Sequence, residues 1–308
     1  MAIRHIRLLG PGATGTRVSA PLLRDILEVL IEGSQRALRV RTQGRSTARG
    51  SVPSWITAAS EFSVELKEGS TVLEIECPSL REAAPTEFEQ GHLFPEVDPQ
   101  CPAIDFLIES IEAAVEGDER SNLYDAQLLR FLEKLDEVFE HGVSSLEFQR
   151  PQVRLTGGPF RMTSASIQRF REVEAKIPRA QRINVAGKLD TIRHSDRTFT
   201  LHVREDRIRG VAELGDLQAL WGTKVFVSGT AHFTAQAQIQ RIEADTIRLA
   251  TEKELGLFQE TPTPLAGQTS QGRLSRTQGP RSGINALFGK WPGDETDDQI
   301  SEALGQIS

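Results

Sequence analysis

The chain has 308 residues, 38% of them hydrophobic and 26% charged, with a formal net charge of −7; this is the composition of a globular protein long enough for two domains. No apolar run approaches the roughly 18 residues of a membrane span, and Met1-Ala2-Ile3-Arg4-His5 opens no signal-like stretch, so a cytoplasmic protein without membrane association is expected. Cys77 and Cys101 are too few for a disulfide framework or a cysteine-rich zinc site and read as reduced thiols. Charge is distributed unevenly: residues 1–50 carry nine Lys/Arg against three acids, 51–149 five against 22, and 150–250 seventeen against ten. Such blocks suit modules that attract one another, or a basic module offered to an acidic partner; they equally describe solvated surfaces.

Residues 1–150 are expected to form an α+β domain. Alternation over Ile3 to Leu9 predicts a strand that ends in the turn Gly10 to Gly15. Ser19 can cap a helix with Leu22, Leu23, Ile26, Leu27, Leu30 and Ile31 on one face, and Gly33 is expected to stop it. Ala37 to Thr42 then reads as a strand, followed by the polar loop Gln43 to Ser51. Phe62 to Leu66 and Thr71 to Glu76 are expected to pair across a Glu68-Gly69 turn. After the Pro-rich stretch Pro78 to Pro102, two helices are predicted. The first is Ile104 to Val115; the second is Tyr124 to Phe139, with Leu128, Leu129, Leu132, Leu135 and Phe139 inward and acids outward. Strands resume over Leu146 to Leu155, and residues 151–181 read as a connecting strand and a basic helix, Ser164 to Lys176.

Three features of this part resemble chemical motifs. Gly10-Pro11-Gly12-Ala13-Thr14-Gly15 spells G-x-G-x-x-G, but the helix signal starts only at Ser19 and no acid ends the next strand, which favours a plain glycine turn over a dinucleotide site. The loop Gly44-Arg45-Ser46-Thr47-Ala48-Arg49-Gly50 sets two arginines and two hydroxyls between glycines, which can hold a phosphate or form an ordinary exposed turn, the turn being preferred. Glu133, Asp136, Glu137 and Glu140, with His141, suit a solvated helix face better than a metal site, because none of the acids occupies the apolar stripe. The six histidines, at 5, 92, 141, 194, 202 and 232, show no zinc-ligand spacing, and no nucleophile elbow or P-loop lysine occurs. No catalytic residue, metal or cofactor is therefore expected, and the chain reads as a binding protein.

Residues 182–250 alternate short strands with glycines: Ile183 to Ile192, Arg197 to Val203, Arg207 to Ala212, Lys224 to Phe233 and Ile239 to Leu249, with a short helix, Gly215 to Trp221, before the fourth. Five strands with a helix between the third and fourth predict an OB-like β-barrel, closure removing the exposed edges; an SH3-like barrel is the alternative. Arg193, Arg197, Arg204, Arg207 and Arg209 cluster on the first three strands, and His194, His202, Phe226 and Phe233 offer ring faces, several of which equally suit the core. These are the candidate residues for nucleic-acid binding, although eleven Lys/Arg against eight acids over 179–250 is a small basic excess.

Residues 251–283, rich beyond Gln259 in Gly, Pro, Ser, Thr and Gln, read as a flexible linker. In the tail, 284–308, Ile284, Leu287, Phe288 and Trp291 fall at i, i+3, i+4 and i+7, Pro292-Gly293 breaks the helix, and Ile300, Ala303, Leu304 and Ile307 form a second stripe behind the acids Asp297 and Asp298. Each stripe is shorter than the roughly 12–15 residues at which an isolated helix becomes marginal, so the tail must order against a surface, in cis or on a partner; the linker favours a partner. The string Phe288-Gly289-Lys290-Trp291-Pro292-Gly293-Asp294-Glu295-Thr296-Asp297 resembles the C-terminal end of bacterial antitoxins paired with PIN-domain ribonuclease toxins. The resemblance covers about 20 of the 308 residues. It implies that apolar anchors wrap a ribonuclease partner and that Lys290 reaches an acidic metal site on it. The partner-binding candidates are Ile284, Leu287, Phe288, Lys290, Trp291, Ile300 and Leu304. Members of that family are commonly short, with a small DNA-binding head, whereas this chain carries some 250 further residues.

Overall fold

In the computed structural model, residues 1–48, 50–67, 71–88, 97–150, 158–193, 197–212 and 217–264 are described. The opening alternation forms strand β1 (Ala2–Leu9), with Ile6 and Leu8 buried and His5 and Arg7 exposed. A two-residue hairpin, β2 (Ala13–Thr14) and β3 (Arg17–Val18), follows the glycine turn. Gly12 is a packing residue: its N–H donates to the Gly142 carbonyl at 3.0 Å, and a Cβ there would lie 2.0 Å from the His141 carbonyl oxygen. The G-x-G-x-x-G string thus serves a close backbone approach.

Helix α1 (Ala20–Gln43) corrects the expectation of a helix ending at Gly33 and a strand from Ala37. Ala37, Leu38, Arg39, Val40 and Thr42 are all buried, and a helix turn buried on every side leaves a run with no 3.6-residue period to distinguish it from a strand. Gly33 admits α5 (Ala103–Glu116): a Cβ at 33 would stand 2.9 Å from Leu107 Cδ1. The helix ends at Gly44, whose φ of 67° is left-handed and whose N–H donates to Val40 O at 2.9 Å.

The short helix α2 (Ser54–Ala59) precedes the expected hairpin, β4 (Ser63–Lys67) with β5 (Val72–Cys77). Two single turns, α3 (Leu80–Ala83) and α4 (Pro85–Phe88), lie in the Pro-rich stretch. The helix expected over Tyr124 to Phe139 is two, α6 (Ala126–Leu132) and α7 (Leu135–Glu140). The bonds Lys134 N–H to Phe131 O and Glu137 N–H to Lys134 O are of the tighter i→i+3 kind and interrupt the α-helical ladder between them. Strands β6 (Ser145–Phe148) and β7 (Phe160–Met162) complete a fully antiparallel sheet ordered β4-β5-β1-β6-β7, and α8 (Ser164–Lys176) joins α1 and α5 over its apolar face. Arg4 sits on that covered face and forms a two-pronged pair with Asp105 of α5, at 2.6 and 2.7 Å. The two cysteines lie nearby, and burial pushes both thiols up to about 12.

Five strands close a barrel in the order β10-β12-β11-β8-β9: β8 (Gln181–Arg193), β9 (Thr198–Val203), β10 (Asp206–Ala212), β11 (Lys224–Phe233) and β12 (Ile239–Leu249). Every pair is antiparallel except β10 with β12. Val185, Leu201, Ile208, Val227 and Ile242 fill a second core. The chain is α+β, and the barrel is mixed. The helix expected over Gly215 to Trp221 is, in its described part, a 3₁₀ turn at Gln218–Leu220. The linker expected over 251–283 begins instead as helix α9 (Glu252–Phe258), because Thr251 and Glu254 form a reciprocal cap. Among the described residues no helix is long and apolar enough to cross a membrane.

Candidate functional site

The outer face of β11, β8, β9 and β10 carries a basic row fixed by register. Lys224 pairs with Lys188, Lys188 with His202, and His202 with Arg207. Residues directly opposite across a ladder share a face, so three cations and His202, whose Nε2 accepts from Arg207 Nε at 3.1 Å, stand abreast across four strands. At the strand spacing of about 4.8 Å this row is about 14 Å long. Lys188, Lys224 and Arg207 are exposed and His202 is partly so. Like charges set opposite one another destabilise a sheet, and neither lysine's ammonium has a partner among the described residues.

A register shift between Leu189 and Thr191 marks a bulge at Asp190, which carries two connections. Its carboxylate lies 3.3 Å from His202 Nε2 and 3.6 Å from Arg207 Nη2, and its carbonyl accepts the Trp221 indole N–H at 2.7 Å. Leu217 and Leu220 pack against the barrel core and hold the 3₁₀ turn down, while Trp221, next in the chain, remains 66% exposed. A flat aromatic face thereby stands beside the basic row.

Of the arginines expected here, only Arg207 belongs to the row. Arg209 turns to the end of α1 and donates to Arg41 O at 3.2 Å; Arg204 pairs with Glu260 at 3.0 Å from a hairpin position with φ 53°; Arg197 lies outside the strands with φ 57°, and Arg193 near the end of β8. Phe226 and Phe233 are corrected to buried residues. The ring of Phe226 is covered by Phe258 at 5.5 Å and by the Arg248 guanidinium at 4.6 Å, and Phe233 is 2% exposed. Lys188, Lys224 and Trp221 were missed, since the row exists only once strand register is known; strand alternation places Lys188 outward but does not supply its neighbours. His194 and the tail residues Ile284, Leu287, Phe288, Lys290, Trp291, Ile300 and Leu304 lie outside the described residues.

A second feature is a cleft of about 780 Å³ where the barrel meets the helices. The loop after α1, singled out for its arginines and hydroxyls, forms one wall. Ser46 is tied down through its N–H and hydroxyl to the Asp125 carboxylate, at 2.7 and 2.6 Å, and the same carboxylate caps α6 through Leu128 N–H at 2.8 Å. The barrel wall is bolted to this loop and its surroundings. Arg241 donates to Gly44 O at 3.1 Å and to Glu243 at 2.9 Å, and Gln240 donates to Tyr124 O at 3.0 Å. His232 Nε2 lies 3.5 Å from Glu243, whose carboxyl is held down at about 2 by His232 and then by Arg241. Burial pushes the Arg241 guanidinium down to about 10.

No protein-family model, curated protein or solved structure matches this chain.

Proposed function

We propose that this chain is a non-enzymatic binding protein whose C-terminal tail docks on a partner, in the manner of antitoxins that inhibit PIN-domain ribonucleases. The observation that carries this reading is the stretch Ile284 to Asp297, with its four-residue apolar stripe, Lys290 and the Pro-Gly stop. Ile284, Leu287, Phe288 and Trp291 occupy the partner's groove, Lys290 meets acidic groups, and Ile300 and Leu304 seat the second turn. The test is a paired pull-down with the full chain and a form ending at Phe258, followed by titration of Trp291→Ala against the captured protein. A ribonuclease retained only by the full chain, bound at least about 30-fold more weakly by the variant, is expected from the roughly 2 kcal/mol of an aromatic hot spot. Equal capture by both forms refutes the reading.

A second reading, favoured by the row Lys224, Lys188, His202 and Arg207 beside Trp221, is that the barrel binds single-stranded nucleic acid. The closed five-stranded barrel, ordered third-fifth-fourth-first-second with the third and fifth parallel, supports an OB-like reading, and OB barrels use the face of their second and third strands for oligonucleotides. The two readings are compatible, the barrel standing where a shorter antitoxin has its DNA-binding head. Two or three phosphates on the row give a slope of log affinity against log salt of about −1.5 to −2 for a single strand. Trp221→Ala is expected to weaken binding by about 1–3 kcal/mol and Trp221→Phe by much less, because the stacking ring is kept. A salt-independent affinity, or equal losses in both variants, counts against the barrel as the binding surface.

A further inference from the structure

We infer that the cleft between the loop after α1 and the barrel is a binding site for a phosphate group, separate from both the tail and the basic row. Four arginines, Arg45, Arg130, Arg179 and Arg241, line it together with His232, and four acids line it too: Asp125, Glu174, Glu243 and Asp245. Three of the acids are ion-paired, and Asp125 keeps its charge but is turned onto hydrogen-bond donors. Asp125 holds Ser46 and caps α6; Glu174 takes Arg130 at 2.9 Å; Asp245 takes Arg182 at 2.9 Å; Glu243 takes Arg241 at 2.9 Å.

The cations are not all engaged. Among the described residues Arg45, with its side chain 17% exposed, reaches only a 3.5 Å ion pair with the Glu243 oxygen that Arg241 already occupies. Its Nε is buried without a hydrogen-bond partner. Arg179 is exposed and has no partner among the described residues. Arg241 is deeply buried, and the carboxylate paired with it, Glu243, has a side chain 42% exposed. The positive charge remaining comes from three separate segments: the α1 loop, the link between α8 and β8, and strand β12.

Guanidinium groups are planar forks matched to phosphate oxygens, and a cleft of this size falls within the roughly 300–1,000 Å³ of small-ligand sites. Thr47, exposed on the same wall, adds a hydroxyl. The phosphate can be free, on a nucleotide, or at the end of a nucleic-acid strand.

Calorimetric titration of the full chain with inorganic phosphate, adenosine monophosphate, adenosine, and one oligonucleotide with and without a 5′-phosphate tests the assignment. Saturable binding of phosphate or the monophosphate, none of adenosine, and a loss of at least about tenfold in Arg45→Gln and in Arg179→Gln are expected. Equal affinities for phosphate and the monophosphate assign the free anion; a tighter monophosphate assigns a nucleotide. A gain for the 5′-phosphorylated oligonucleotide that exceeds the monophosphate assigns a strand end. Arg179 is exposed, so its variant keeps the test valid even where Arg45→Gln impairs folding. Absence of saturation by phosphate and by the monophosphate up to about 10 mM, a range that covers weak millimolar sites, overturns the inference. Unchanged binding in Arg179→Gln overturns it as well.

Discussion

Gly33→Ala is expected to destabilise the protein, although helix propensity alone argues the opposite. An alanine inside a 24-residue helix gains about 1 kcal/mol over glycine. The added methyl, however, would lie 2.9 and 3.1 Å from the two Leu107 methyls, and Leu107 is 0% exposed within the core. Side chains in a close-packed core have little room to yield, and overpacking of this kind costs about 1–3 kcal/mol, which leaves a net loss of up to about 2 kcal/mol. Urea unfolding of the full chain measures it. Leu107→Ala alone should cost about 2–5 kcal/mol by opening a cavity. In the double variant the new methyl enters the space that leucine leaves, so the combined loss should fall short of the sum by at least about 1 kcal/mol. A Gly33→Ala protein more stable than wild type by about 1 kcal/mol, or strict additivity, would refute close packing of α1 on α5.

Asp105→Ala should be among the most damaging single changes, at about 3–5 kcal/mol, because it strands the guanidinium of Arg4, whose side chain is 10% exposed; Arg4→Met with Asp105→Leu should recover most of the loss. Thermal melts of the two variants beside the wild type decide this, and equal instability of the single and double changes contradicts it. Glu243 produces a pH dependence of definite sign. Its folded carboxyl titrates at about 2, whereas the unfolded chain takes up the proton near the ordinary value of about 4.3. Its contribution is therefore complete above about pH 5 and lost as pH falls toward about 2, modest in size because the side chain is partly exposed. Stability of Glu243→Gln should accordingly fall less steeply than wild type between about pH 5 and 3, and parallel curves would show that the cluster is not formed.

Much of the architecture was legible locally. The basic helix Ser164 to Lys176 and the barrel strands at Lys224 to Phe233 and Ile239 to Leu249 fall where periodicity predicts them, because each buries one face and exposes the other. The failures occur where burial removes the period, as in Ala37 to Thr42, or where a glycine has a distant partner, as Gly33 has in Leu107. For the sites, composition pointed to arginines crowded along β8 to β10, yet only Arg207 belongs to the row. The loop at Gly44 to Gly50 was visible as a phosphate-like string and also as a turn.

The sequence by itself determined most of the amphipathic elements, the separate barrel segment and the amphipathic tail pattern, since these depend on the spacing of side chains along one chain segment. Beyond the β4–β5 hairpin, only the tertiary structure decided which strands adjoin. Register set Lys224 beside Lys188 and His202 beside Arg207, a bulge tied Trp221 to Asp190, and the packing of β12 on the α1 loop brought Arg241 to Arg45 across 196 positions of sequence. Juxtapositions of that kind arise from the closing of a barrel and the burial of its outer wall, which no local pattern encodes.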